Sequence, residues 1–297
     1  MVVMKQDIHF ALLVIGDLGE MGNLSLKSIT DLGYQNIHVM ADQPGKEWII
    51  NQAEQIRLFP KLYDLPNDIA YRLSQFHTDN YSEFGNSKFF QLMYLKWILI
   101  VEVLKATPKG CFVVFSDLDV LWSNSIEDGL ENYFSNSRVN MAGQLDWNTK
   151  SIESKKYLCP GIMIWKNSNS SISMIEDIRG FHEIKLLKDK DFPDDKAINS
   201  WMQIDQNHEK IIFLSPHEFI IGHRLIALLA ETSHFRLKNF KAFHANYCLG
   251  AVRKRFRIKI LILVSKFPNL RFFAAGLILA DIAIVKLRQT SLKIFKH

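Results

Sequence analysis

The stretch VVFSDLDVLW, residues 113–122, sets an apolar run against two carboxylates, Asp117 and Asp119, with a single leucine between them. The run Cys111–Phe115 reads as a strand buried on both faces. Burying an unpartnered carboxylate costs several kcal/mol, so the two aspartates belong where that strand emerges. Residues i and i+2 of an extended chain point the same way. Two carboxylates held side by side repel unless a cation lies between them, which outlines a metal site.

Working outward, strand and helix signals alternate over the first 215 residues. Phe10–Ile15, Ile37–Met40, Val139–Gly143, Ile162–Trp165 and Ile211–Leu214 are further strand candidates. A helix is predicted from about Asn23 to Leu32, ending at Gly33, and a turn at MADQPGKEW with Pro44–Gly45 as breaker. A long helix enters at Gly85–Asn86 and stops near Pro108, and its apolar positions wrap most of the circumference, so it is predicted to be buried. Asp194–Gln203 starts a helix with acids in its first turn. This alternation implies an α/β fold with a mixed, largely parallel sheet flanked by helices. Such sheets bind ligands at the carboxyl ends of their strands, where Asp117 and Asp119 stand.

The composition, 48% apolar and 23% charged over 297 residues, is that of an ordinary globular protein. Three cysteines, Cys111, Cys159 and Cys248, lie far apart without CxxC spacing, so reduced thiols are expected rather than a disulfide framework. The start of the chain carries Asp7 before a short apolar run and reads as a first buried strand, not a signal peptide. The longest apolar candidate for a membrane span, Phe272–Val285, has 14 residues and contains Asp281, short of the ~18 needed. Residues 251–297 hold eleven Lys or Arg against one acid, Asp281, so that segment carries +10 and residues 1–250 carry −5 of the total +5. The chain divides accordingly into one catalytic domain, 1–250, and a basic tail, 251–297, with a polyanionic partner expected for the tail alone.

The second chemical feature is FHANYCLGAVRK, residues 243–254. Glycine at 250 lets a backbone approach a diphosphate closely, Lys254 can take up its charge, and His244 could complete a metal shell begun by the acids. GQLDW, residues 143–147, would put Gln144 and Asp146 on one face of an extended stretch. MADQ, residues 40–43, follows the second strand and offers Asp42 as a contact to a nucleotide. A rival reading of the D-x-D is a haloacid-dehalogenase phosphatase, which wants Thr or a small residue and a glycine loop next; Val120–Leu121–Trp122 follows instead.

FSDLDVLW, CPGIMIWKNS, DDKAINSWM and HANYCLGAVRK, in this order, resemble the nucleotide-diphospho-sugar transferase group that includes glycosyltransferase family 77, over roughly residues 80–254. The resemblance implies the GT-A fold and transfer of a sugar from a nucleotide donor, such as a UDP-sugar, to a hydroxyl of a glycan or lipid-linked glycan. It further implies a Mn²⁺ (or Mg²⁺) ion on Asp117, Asp119 and His244, with Asp117 also at the nucleotide and Gly250 and Lys254 at the diphosphate. By the same resemblance Asp194 or Asp195 meets the donor sugar, Gly161 borders the acceptor, and the anomeric configuration is retained. Asp146, Asp194 or Asp195 would then stabilise an oxocarbenium-like state. Two departures bear on donor and acceptor identity: Cys159–Pro160 stands where relatives carry Asn-Thr, and Asp194–Asp195 replaces an Asp-Gln pair.

On a helical wheel, Arg271, Lys286, Lys293 and Lys296 cluster, and apolar residues from Phe272 to Val285 fill much of the rest. A basic face beside a large apolar one describes an interfacial helix on anionic lipid, and the absence of a recognition motif argues against nucleic acid. The expected location is cytoplasmic, peripheral on the inner face of a membrane. Two rivals stand beside this reading: a metal-dependent phosphohydrolase with Asp117 as nucleophile, and a non-catalytic member of the fold that binds glycan or membrane.

Overall fold

A computed structural model describes residues 3–67, 90, 92–146, 157–230, 239–246 and 250–294, with side chains as far as residue 284. Seven strands form the main sheet: β1 (Ile8–Val14), β2 (Ile37–Ala41), β3 (Lys61–Tyr63), β4 (Phe112–Ser116), β6 (Met141–Asp146), β7 (Tyr157–Lys166) and β8 (Ile211–Phe213), in the order β3-β2-β1-β4-β7-β6-β8. All pairs are parallel except those of β7, which runs against both β4 and β6. The sheet is thus mixed and largely parallel, as expected. A second, small sheet joins β5 (Val120–Trp122), β10 (Ala242–His244) and β9 (Phe219–Ile221).

Alternation along β1 sorts the core into two layers. Ile8, Phe10, Leu12 and Val14 pack with Leu26 and Ile29 of α1 (Gly19–Asp31) and Trp48, Ile49 and Ala53 of α2 (Gln43–Ile56). On the other face Ala11, Val113 and Phe115 meet α3 (Leu95–Ala106), α5 (Asn169–Lys188) and α6 (Asp194–Met202). A short α4 (Glu127–Tyr133) follows β5. A third cluster covers the small sheet with α7 (Leu225–Ala230), α8 (Ala251–Lys266) and the start of α9 (Arg271–Ile294). Helix α3 is buried nearly all round, as its sequence predicts; its predicted entry at Gly85–Asn86 lies outside the described residues.

The predicted turn at residues 40–48 is instead the end of β2 and the first turn of α2. Asp42 is the N-cap, its Oδ1 accepting from Gly45 N at 2.9 Å, and Pro44 sits in the first turn, where its missing N–H costs nothing. Gly33, with φ 87°, follows α1 as expected. Cys111 and Cys159 are free thiols, and Cys248 lies outside the described residues.

β7 carries Pro160 in its interior, where a ladder has no use for a residue without an N–H. The register yields there: Gly143 pairs with Met163 but Gln144 pairs with Cys159, so residues 160–162 have no partner on β6. Bulges of this kind re-aim side chains, and this one turns the middle of β7 and Gln144 toward the functional residues.

Candidate functional site

Between β4 and β5 the chain passes from the large sheet to the small one. Leu118 is buried in the core layer of α1 and α2, which explains the leucine between two acids: it anchors the crossing, and Asp117 and Asp119 on either side of it line a cleft. β10 runs antiparallel to β5 with His244 opposite Val120, and Ala245 N donates to Asp119 O at 2.9 Å. Strand register therefore delivers a histidine 125 positions downstream to the second aspartate. His244 Nε2 lies 3.1 Å from Asp119 Oδ1 and 3.6 Å from Asp117 Oδ2. One ligand atom from each of the three residues falls within 4.8 Å of the others.

These residues fit a divalent cation. Asp119 Oδ1 is buried beside the His244 imidazole, 3.1 Å from Nε2, and Asp117 Oδ2 stands 3.6 Å from the same nitrogen. Gln144 Oε1 accepts from His244 Nδ1 at 3.0 Å, the outer-shell bond that aims the opposite nitrogen of a ligating histidine. Cys159 Sγ is 3.6 Å from the same Nδ1 and accepts from Asn246 Nδ2 at 3.4 Å. Two carboxylates and an imidazole suit Mn²⁺ better than Ca²⁺ or Mg²⁺, harder ions that prefer an all-oxygen shell.

Protein cations also stand on these carboxylates. Lys254 Nζ donates to Asp119 Oδ2 at 2.6 Å. Burial opposes ionisation of Asp119, yet Lys254 and His244 hold its carboxyl well below the usual range. Burial alone would lower His244, but Asp119, with Cys159 beside it, raises the imidazole to about 10. Asp117 moves the other way, raised chiefly by burial despite Lys96 and His244.

Lys96 was not singled out from the sequence. Fully buried on α3, its Nζ pairs with Asp194 Oδ2 at 2.5 Å and stands 3.9 Å from Asp117 Oδ1. Burial disfavours its charge, but the two carboxylates outweigh this and raise its pKa. Lys96 thus joins the first turn of α6 to the end of β4. Its one legible signal is a lysine inside LKWILIV, a stretch of α3 otherwise apolar.

The remaining predicted residues fall around this centre. Gly161, in the bulged part of β7, lies so close that a Cβ there would overlap the His244 ring, and its O accepts from Asp117 N at 2.9 Å. Asp195 Oδ2 accepts from Tyr157 Oη at 3.1 Å, and burial followed by Asp194 raises its pKa. Asp146, buried at the end of β6, pairs in register with Tyr157 and has His223 Nδ1 4.0 Å from its Oδ1. Tyr157 and His223 also went unnoticed in the sequence. Gly250, with φ 80°, is the N-cap of α8, and Lys254 follows in its first turn. Asp42 stands apart: it lies on the same carboxyl edge of the sheet, two strands along, and its Oδ1 accepts from Gly16 N and Gly45 N.

A solvent-open cleft reaches Asp117, Asp119 and Lys254 between apolar walls that include Leu13, Leu18, Met21 and Met93.

Comparison with known proteins follows the same lines. The model of the nucleotide-diphospho-sugar transferase family matches residues 60–258. No curated protein matches the sequence. The galactosyltransferase LgtC, solved with donor and acceptor sugar analogs, superposes with a TM-score of 0.51 at 11% identity, over 84% of this chain and 95% of that one. An active-site mutant of LgtC gives 0.53 at 10% identity with the same coverage. Mouse xyloside xylosyltransferase 1, in its apo form, gives 0.49 at 11% identity over 81% of this chain and 98% of that one. The LgtC likeness is one of fold, a GT-A-like α/β architecture.

Proposed function

The chain belongs to the nucleotide-diphospho-sugar transferase family, and from that premise we propose that it transfers a sugar from a UDP-sugar to a hydroxyl of a glycan or lipid-linked glycan, with a Mn²⁺ or Mg²⁺ ion. The observation that carries the reading is the convergence of Asp117, Asp119 and His244, three ligand atoms within 4.8 Å at the mouth of a cleft. A cation on these residues would act as Lewis acid and template, offsetting charge on the departing nucleoside diphosphate.

The protein's own groups do the rest. Lys254, which reaches Asp119 at the rim of the cleft, would add a point charge at the diphosphate, where the leaving group gathers negative charge. The N-terminus of α8, opened by Gly250, turns backbone N–H groups and the positive end of a 16-residue helix dipole toward the same anion. Gly161, whose missing side chain lets β7 pass close against His244 and Asp117, borders the acceptor in this reading. Asp194, Asp195 and Asp146 offset positive charge on the sugar as its bond to the diphosphate lengthens. Asp117 meets the ribose as well as the cation, and Asp42 reaches the nucleotide along the edge of the sheet. Retention of configuration rests on the resemblance to glycosyltransferase family 77.

A thermal-shift panel of nucleotides and nucleotide sugars, with and without Mn²⁺, tests the reading. UDP is expected to raise the melting temperature only with the cation, and Asp119→Asn or His244→Asn to abolish the rise. Stabilisation by UDP that ignores the cation, or survives both substitutions, rejects it.

A further inference from the structure

α9 packs one arc and leaves the other bare. Ala274, Ala275 and Ile278 are buried with Leu225, Leu228 and Leu229, and span about 100° of the helix at 3.6 residues per turn. Over its first fourteen residues, the opposite arc of about 160° presents apolar side chains to solvent. Phe272 is 61% and Phe273 65% exposed, and Leu277, Leu279 and Ile284 follow on the same side. Phe267, also exposed, extends the patch to the α8–α9 corner, flanked by Lys266 and Arg271. Arg253 Nε on α8 donates to Asp281 Oδ1 on α9 at 3.0 Å and holds the two helices together. An apolar surface of this extent on a folded chain marks a contact site.

Charge selects the occupant. The segment bearing the patch carries eleven Lys or Arg and one acid. Lys254, Arg255 and Lys259 lie on the domain's acids Asp119 and Glu20 and Arg253 on Asp281, while Lys266 and Arg271 flank the patch. A second copy docking face to face would bring two such basic borders together and repel. A surface of anionic lipid headgroups attracts them while its acyl boundary takes up the phenylalanines. Among the described residues no helix is long and apolar enough to cross a membrane.

We propose that the bare arc of α9, continued through Phe267, docks on an anionic bilayer surface such as the cytoplasmic leaflet, with Lys266 and Arg271 at headgroup level. This inference is independent of the catalytic reading. From Phe267 back to Lys254 the rise of α8 is about 20 Å, so docking would hold the cleft within that distance of the corner, in reach of an acceptor glycan anchored in the same membrane.

The test is co-sedimentation of the full chain with vesicles of phosphatidylcholine alone or mixed with phosphatidylglycerol. The chain is expected to bind the mixed vesicles, to ignore the neutral ones, and to leave as salt rises from about 0.1 to 0.5 M. The double variant Phe272→Glu/Phe273→Glu, and separately Phe267→Glu, should lose more than about tenfold in partitioning while melting as the parent chain does. Equal binding to both vesicle types, no binding, or variants that bind like the parent overturn the proposal. So does a dimer that those variants dissociate and that never meets lipid. No sugar or nucleotide enters the assay, so its failure leaves the transferase reading standing.

Discussion

A Cβ added at residue 161 would overlap the His244 imidazole and come within 2.9 Å of Asp117 Oδ2. Both neighbours are cation ligands in the proposed reaction, and the β7 backbone is pinned by Asp117 N on Gly161 O. Gly161→Ala should therefore turn His244 away and weaken cation-dependent UDP binding by about tenfold or more, the usual cost of misaiming a ligand. Calorimetric titration of UDP with Mn²⁺ measures this, and an unchanged affinity would sink the assignment. Lys96 makes a different kind of prediction. Removing one partner of a buried pair leaves the other charge stranded at a cost of about 3–5 kcal/mol, so Lys96→Met should destabilise by that order in urea. Adding Asp194→Asn should restore part of the loss; additive effects would mean that the 2.5 Å pair carries no coupling. The acids and His244 were legible only in combination, because a buried strand often ends in acids, and it took His244 with Gly250 and Lys254 in one stretch to point to a shared cation. Lys96 was not, since a lysine on a helix can reach solvent along its own stem and no pattern says that this one stays inside.

The strands of the main sheet were readable from their apolar runs, within a residue or two, except the three-residue β3, the last three residues of β6 and the first five of β7, where Pro160 and the bulge break the apolar pattern. The three strands of the small sheet were not, because three residues carry no periodicity. Asp42 and Pro44 read as a turn, although an N-cap residue followed by proline in the first turn is equally how a helix begins. Across β1, β2 and β3 a polar chain crosses the sheet: His9 Nδ1 lies 3.0 Å from His38 Nε2, and His38 Nδ1 lies 3.0 Å from Tyr63 Oη. Burial, with His9 and Lys61 adding repulsion, lowers His38 from 6.5 to about 4. The folded state thus prefers the neutral ring, and below pH ~6.5 the unfolded chain takes the proton first. Stability from this ladder is full above that pH and falls as pH drops toward about 4, by roughly 3 kcal/mol at most. Urea titrations of the parent and His38→Leu at pH 7.5 and 5 should show a smaller acid loss in the variant. Equal losses would mean that His38 takes its proton equally well folded and unfolded.

At the scale of the whole molecule, charge placement was legible and topology was not. A net of +10 beyond residue 250 against −5 before it can be counted in the sequence, but that segment's share in the core cannot. α8 begins with Lys254 on Asp119 and goes on to bury Ile258, Leu261 and Val264 completely, against the cluster that includes Phe243, the neighbour of His244. At about 1.5–3 kcal/mol for each fully buried aliphatic side chain, those three and Ile260 represent roughly 6–12 kcal/mol, comparable to the whole stability of a typical domain, about 5–15 kcal/mol. A chain ending at residue 254 should then fail to unfold cooperatively and show no UDP response. A chain ending at residue 284 keeps α8 and the buried Ala274, Ala275 and Ile278 of α9, so it should melt within a few degrees of the full chain with its cation-dependent response intact. Calorimetry of the two truncations decides the matter: were the 254-residue chain to melt cooperatively, α8 would be an appendage, and the link it makes between cleft and lipid surface would lose its physical basis.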